Sequence, residues 1–255
     1  ISILPNSRIG ILALQRCYQP EYQANFSHAF GENSRTENEK GFYIGTKILP
    51  VKKLELSLYA DVFSFPWAKY KINYPSKGED FLVQAQINAH RKMNMQLKYK
   101  YKNYIEQGYT KQNIRYVNHW KIGKFETQSI LEANKIRTEE SDTYGWVVSE
   151  DIQREWSKPH LSMNLHYAYY VASDYNNRFY IYERDILNTF SMPQLYGKGH
   201  RIDINFKWTP CRLFQIYLNY GMYPYTDGRE TISSSNEEIK GNRSSMIKGL
   251  MRWSF

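Results

Sequence analysis

The sequence has no apolar run of about eighteen residues and a mean hydropathy of -0.67, so no segment crosses a bilayer as a helix. That excludes helical membrane proteins alone, because the strands of a membrane barrel are half polar by construction. Cysteine is scarce. Cys17 and Cys211 are too few for a disulfide framework and lack metal-ligand spacing, so both read as unpaired thiols. His28, His90, His119, His160, His166 and His200 are scattered with no pair at metal spacing, and no metal or other cofactor is expected. Proline and glycine are sparse, 9 and 14 residues against 23 tyrosines, a mixture that favours strands and half-buried rings over disorder. An initiating methionine and a secretory leader are missing, and the chain reads as a processed mature protein or a piece of a longer one.

What is present is alternation. In LELSLYADVF, Leu54, Leu56, Leu58, Ala60 and Val62 fall on one face and Glu55, Ser57, Tyr59 and Asp61 on the other, the period of a strand with one oily and one wet side. FLVQAQINAH opposes Phe81, Val83, Ala85, Ile87 and Ala89 to Gln84, Gln86, Asn88 and His90, and MNMQLKYKYK opposes Met93, Met95, Leu97, Tyr99 and Tyr101 to Asn94, Gln96, Lys98, Lys100 and Lys102. IRYVNHWKI, TQSILEANKI, YGWVVSEDIQREW, LSMNLHYAYYV, RIDINFKW and LFQIYLNYGMY follow the same logic; GFYIGTKIL is a further strand and residues 7–18 are the first. The last twelve residues set Ile247, Gly249, Met251, Trp253 and Phe255 against Ser244, Lys248 and Arg252. About twelve strands, at the roughly 9 to 11 residues that cross a bilayer when tilted, predict an all-β, antiparallel transmembrane β-barrel over residues 1–255 as a single domain.

Connections alternate in length. PVKK, HRKM, IGKF, SKPH and TPCR are short, and those around Pro66, Glu106, Glu139, Asn176 and Asp227 are longer, the arrangement of short periplasmic turns and long extracellular loops. For that parity RFYIYERDIL must stand above the membrane, with Glu183, Arg184 and Asp185 as a solvated loop face rather than a hard-metal site. The same parity brings Trp253 and Phe255 to the periplasmic side, where an aromatic close to the last strand serves as a barrel-insertion signal. Outer-membrane lipid and the barrel-assembly machinery are then the expected partners. The first strand carries apolar residues on both faces, so the barrel either closes with this chain alone or is completed by another chain or an upstream segment.

The net charge is +9 and the pI near 9.3, which suits a nucleic-acid partner and an anion-attracting lumen equally. The wet faces collect Lys98, Lys100, Lys102, Arg115, Lys121, Lys207, Lys248 and Arg252 against Glu55, Asp61, Glu132 and Asp203. They predict a basic lumen wall, although paired charges are also ordinary in a polar lumen. Tyr99, Tyr101 and Tyr104 beside those lysines imitate a stacking surface for a single nucleic-acid strand, but read better as a lipid girdle. Ser162 and His166 share a face, as a nucleophile and its base would. Four residues along one strand is about 13 Å, out of hydrogen-bond reach, and no catalytic activity is expected.

The stretches NEKGFYIGTKILP, LYADVFSFPWAKYKI, NNRFYIYERDIL followed by YGKGHR, and EEIKGNRSSMIKGLMRWSF span almost the whole chain. Together they resemble the carboxy-terminal barrel of bacterial outer-membrane proteins that carry helix-hairpin-helix repeats, of the competence DNA-binding type, ahead of the barrel. The resemblance implies a bacterial outer-membrane location and, through repeats that none of these stretches contains, a nucleic-acid partner. The expected function is a pore or transport element; the alternative is a structural or assembly subunit of an outer-membrane complex that conducts nothing. A third reading, a soluble nucleic-acid-binding β domain, predicts DNA affinity that falls steeply with salt.

Overall fold

In a computed structural model, the structure describes residues 1–23, 29–70, 72–90, 92–233 and 235–254. Thirteen strands form one sheet: β1 Ser2–Asn6, β2 Ile9–Tyr18, β3 Glu39–Val51, β4 Leu54–Phe65, β5 Ser76–His90, β6 Met93–Tyr104, β7 Tyr109–Ile122, β8 Phe125–Arg137, β9 Asp142–Trp156, β10 Leu161–Ala172, β13 Gly197–Cys211, β14 Phe214–Pro224 and β17 Arg243–Trp253. Two small ribbons lie in the connections, β11 Phe179–Tyr180 with β12 Gln194–Leu195 and β15 Thr231–Ile232 with β16 Ile239–Lys240. Each strand of the large sheet neighbours the next one along the chain, so the antiparallel meander expected from the alternation is what forms.

The thirteenth strand, not expected from the sequence, is β1. Its five residues SILPN pair with β2 at Ser2↔Leu12, Ile3↔Ile11 and Asn6↔Ile9, and a stretch so short, with a proline, carries no periodic signal. The first expected strand therefore begins at Ile9 rather than Ser7. Its two-sided apolarity is real: Leu12 and Leu14 share a face with the buried Arg16, opposite Gly45, Tyr43 and Gly41 of β3.

Short reversals at residues 52–53, 123–124, 157–160 and 212–213 alternate with long connections at 19–38, 66–75, 173–196 and 225–242. His28 lies outside the described residues. The connections around Glu106 and Glu139 are corrected to short ones, 105–108 and 138–141, because β6 to β9 run further than their apolar pattern.

Contacts divide the chain into two compact units: Ile1–Ala89 with Gln96–Arg115 and Asn134–Asp142, and His90–Met95 with Tyr116–Ala133 and Thr143–Phe255. In each, burial follows the strand period with its chemistry reversed. The first unit buries Arg16, Glu39, Asp61 and Asp80 while Phe42, Ile44, Val62, Val83 and Leu97 stay exposed. In the second, β9 and β10 bury Ser149, Asp151, Asn164 and His166 and expose Trp146, Val148, Ile152, Met163, Leu165 and Tyr167. Glu150, half-buried, is the carboxylate that breaks the apolar side of β9. A half-buried sheet in water does the opposite, with its apolar face in and its polar face out.

Candidate functional site

Residues 173–196, between β10 and β13, fold onto the buried polar face of the second unit. The segment starts in a single turn at Tyr175–Asn177, capped by Asp174, whose carboxylate accepts from the Asn176 amide at 2.8 Å. It then runs extended, so alternate side chains point one way. Phe179 and Ile181 pack with Leu195 against Val147, Ala168, Tyr170 and Ala172 of the sheet. Two residues on, Glu183 accepts from Arg201 Nε and Nη2 at 2.5 and 2.9 Å and from Ser191 Oγ at 3.2 Å, with His166 Nε2 at 3.8 Å. Asp185 pairs with Lys248, and Asn205 Nδ2 donates to the Arg184 carbonyl at 2.7 Å. The expectation that Glu183, Arg184 and Asp185 form a solvated loop face is thus overturned at Glu183, which is 2% exposed, while Arg184 stays exposed. The physical reason is complementarity, since the apolar pair at 179 and 181 and the acids at 183 and 185 meet first an apolar, then a cationic stretch of the sheet.

Register turns the polar face into rungs. One runs Asp151, His166, Asp203, Gly221 across β9, β10, β13 and β14; the next Gln153, Asn164, Asn205, Asn219 and on to Lys248 of β17; the third Glu155, Ser162, Lys207, Tyr217 and Leu250. In the first rung His166 Nδ1 lies 3.0 Å from Asp151 Oδ2, and the Tyr223 hydroxyl donates to Asp203 Oδ1 at 2.8 Å. Tyr223 reaches Asp203 by crossing Gly221, where any Cβ would sit 1.9 Å from the phenol oxygen. Only glycine clears that path. The Arg201 guanidinium lies 3.8 Å from the Tyr223 ring centroid, a desolvated cation on an aromatic face.

The first unit has its own ion cluster. Arg16 donates through Nε to Glu39 at 2.5 Å and through its two terminal nitrogens to Asp61 at 2.7 and 3.0 Å. Glu39 also accepts from the backbone amides of Glu32 and Asn33, so one buried arginine ties β2, β3, β4 and the preceding loop. Opposite it, Gly41 leaves room that a Cβ, 2.5 Å from the guanidinium carbon, would take.

Of the basic residues expected to line one wall, Lys100 lies 3.0 Å from Asp80, Lys102 pairs with Glu32, Lys121 is 2.5 Å from Glu126, and Lys248 holds Asp185. Lys207 lies 5.5 Å from the Tyr217 ring. Lys98 and Arg115 are half-buried, and Arg252 is exposed opposite Gln215. Among their expected acidic counterparts, Asp61 binds Arg16, Glu55 binds Lys47 at 2.7 Å, Asp203 binds Tyr223 and Glu132 is half-buried. Among the described residues, every buried acid or base other than Arg16 and His166 is a carboxylate, so the structure supports surfaces of mixed charge and not a basic wall. Burying a charge without a partner is too costly for a one-sign patch to persist.

Other expected positions resolve as follows. Trp253 ends β17 exposed and meets Phe214 edge-on at 5.7 Å, while Phe255 lies outside the described residues. Tyr99 is exposed and Tyr101 sits 6.0 Å from Phe81, but Tyr104 belongs to the opposite, buried face, edge-on to Phe63 at 5.8 Å. Ser162 and His166 share a face, yet the imidazole is committed to Asp151. Cys17 and Cys211 are free thiols. Arg16, Glu39 and Arg201 were not singled out from the sequence; Glu183 was, but as part of a solvated face, and the signal for its burial was the alternation of Phe179, Ile181, Glu183 and Asp185 itself.

Asp227 and Lys69 lie in the connections 225–242 and 66–75. Asp227 accepts from Arg229 Nε at 2.9 Å and faces Gly197, whose φ of +84° suits glycine. The guanidinium holds the Asp227 carboxyl below the usual carboxylate range. Lys69 Nζ lies 3.4 Å from the Phe65 ring centroid, and its burial lowers the ammonium below the ordinary lysine value.

No protein-family model and no curated protein matches the chain. It is similar to the crystal structure of Pseudomonas aeruginosa OccK8 (OprE), at 9% identity and a TM-score of 0.47 over 96% of this chain and 77% of that one. At that level the likeness decides neither fold nor activity.

Proposed function

We propose that this chain spans a bacterial outer membrane as part of a β-barrel, its apolar face in lipid and its polar face lining an aqueous space that residues 173–196 narrow. The observation that carries this reading is the inversion of burial, with Leu165 and Ile152 exposed between the buried His166, Asn164 and Asp151. A row of outward apolar side chains on successive strands is stable against hydrocarbon and a liability in water. Strand length agrees: apart from β1, strands of the large sheet have 10 to 15 residues, enough to cross at a tilt. Rings agree as well. Trp120, Phe125, Trp156, Trp208, Phe214 and Trp253 gather near the short-turn ends of their strands, and Arg154 lies 4.8 and 4.7 Å from the Phe125 and Trp156 rings, the chemistry of a membrane-water boundary.

Fractionation tests the location. The chain is expected to stay with membranes through an alkaline wash and to leave them only with detergent; release into the wash overturns the reading. A second reading, a structural subunit that conducts nothing, is favoured by the loop that occupies the polar face. Planar-bilayer recordings separate the two: a pore gives discrete steps that grow when residues 179–191 are replaced by a short Gly-Ser linker, and a purely structural element gives none in either form.

A further inference from the structure

Beneath the inserted loop, a cavity of about 530 Å³ lies between residues 184–186 and the short-turn halves of β9, β10, β13 and β14, a volume within the range of small-molecule sites. Its sheet wall is the carboxamide rung, with Gln153, Asn164 and Asn205 flanked by Ser162, Lys207 and Tyr217. Asn164 is 4% exposed, lines this cavity, and has neither its amide nitrogen nor its oxygen engaged by any described residue; Gln153 Oε1 is likewise unpartnered. A buried carboxamide left with both a donor and an acceptor free costs stability unless something in the cavity meets them. What meets both is a group that donates and accepts at once, and a hydroxyl does so.

The charged part of the lining is of both signs, the exposed Glu155 against the exposed Arg184 and Lys207 with Asp185 paired to Lys248, and so selects no single sign of ion. The buried lining residues, Asn164 and Tyr217, are uncharged. Neighbouring strands stand about 4.8 Å apart, so successive carboxamides of the rung are spaced close to the width of one sugar ring, and the Tyr217 ring borders the same space. We infer that this cavity binds a neutral, hydroxyl-rich solute of one or two sugar rings. The inference deepens the pore reading by naming the solute class its polar face receives, and it rests on that reading.

The test uses the full chain folded in a zwitterionic detergent, since a maltoside headgroup would compete. Titration calorimetry with maltose should give saturable binding, with gluconate at least about tenfold weaker. Asn164→Leu should weaken maltose at least about tenfold, the size expected from losing its hydrogen bonds. Ser162→Trp fills the cavity without removing a buried group, and it decides the matter if the first variant fails to fold. Leu165→Val, on the opposite face, should bind as wild type. Equal or tighter binding of gluconate, or wild-type maltose binding in whichever of Asn164→Leu and Ser162→Trp folds, overturns the inference. A folded chain that gives conductance steps but no saturable maltose binding overturns it too, while leaving the pore standing; binding without steps sinks the pore reading alone.

Discussion

Single residues here act by what they leave empty or hold charged. Gly221 is bare so that the Tyr223 phenol can reach Asp203, and Gly221→Ala is expected to break that hydrogen bond and leave a buried carboxylate oxygen exposed to nothing. The loss should be about 1–3 kcal/mol, read as a lower midpoint in urea unfolding from detergent. Asp227 shows the opposite use of a side chain: Arg229 depresses its carboxyl, so the folded state binds a proton less readily than the unfolded one. Its contribution is therefore fully present above the unfolded carboxyl value of about 4 and is lost as pH falls through the lower folded value. Limited proteolysis of residues 225–230 should rise across that acid window in wild type. In Asp227→Asn the same cleavage should be pH-independent; an unchanged profile would show that the pair contributes nothing.

Among the elements, the strand-like stretch from Phe179 to Asp185 matters most, because it is held by two unlike forces. Its apolar half, Phe179 and Ile181, is buried against Tyr170 and Ala168; its acidic half depends on Arg201 and Lys248. Glu183→Ala leaves the Arg201 guanidinium largely buried without its bidentate partner, a change that costs about 3–5 kcal/mol in such settings. We expect the acidic half to release while the apolar half stays docked, seen as new protease cleavage between residues 184 and 193 with none near Phe179. Replacing both partners, Glu183→Leu with Arg201→Leu, should restore most of the protection. If the single variant is as resistant as wild type, the ion pair does not hold the loop.

For the whole molecule, the inverted faces predict asymmetric tolerance. Leu56→Arg and Leu165→Arg, both on the apolar side, should cost about 2–4 kcal/mol each near the membrane midplane, whereas Ser57→Asn and Gln86→Glu should be mild. Equal sensitivity on the two faces, measured by detergent-to-bilayer folding titrations, would falsify the lipid-facing assignment. The edges of the sheet make a second demand. β1 and β17 are its outer strands, with five residues against eleven, and in lipid every unpaired backbone group on an edge costs several kcal/mol. Each edge therefore needs a pairing strand wherever the sheet lies in lipid.

By itself the sequence determined the class of architecture: period-two alternation in LELSLYADVF or MNMQLKYKYK sets which side chains share a face, and that is a property of the backbone independent of anything far along the chain. It also determined where most strands reverse, because short polar turns interrupt the alternation. What it left open depended on distant neighbours. Lys100 and Lys102 read as a basic wall until register set Asp80 and Glu32 beside them. RFYIYERDIL, with the alternation of a strand, had no local mark to say whether it would stand in solvent or lie on the sheet; the Tyr170 cluster and Arg201, contributed by β10 and β13, decided that. β1 was illegible for the same reason, since five residues gain a strand's stability only from β2. Faces are written in local period, but partners are chosen by register, and register is a tertiary fact.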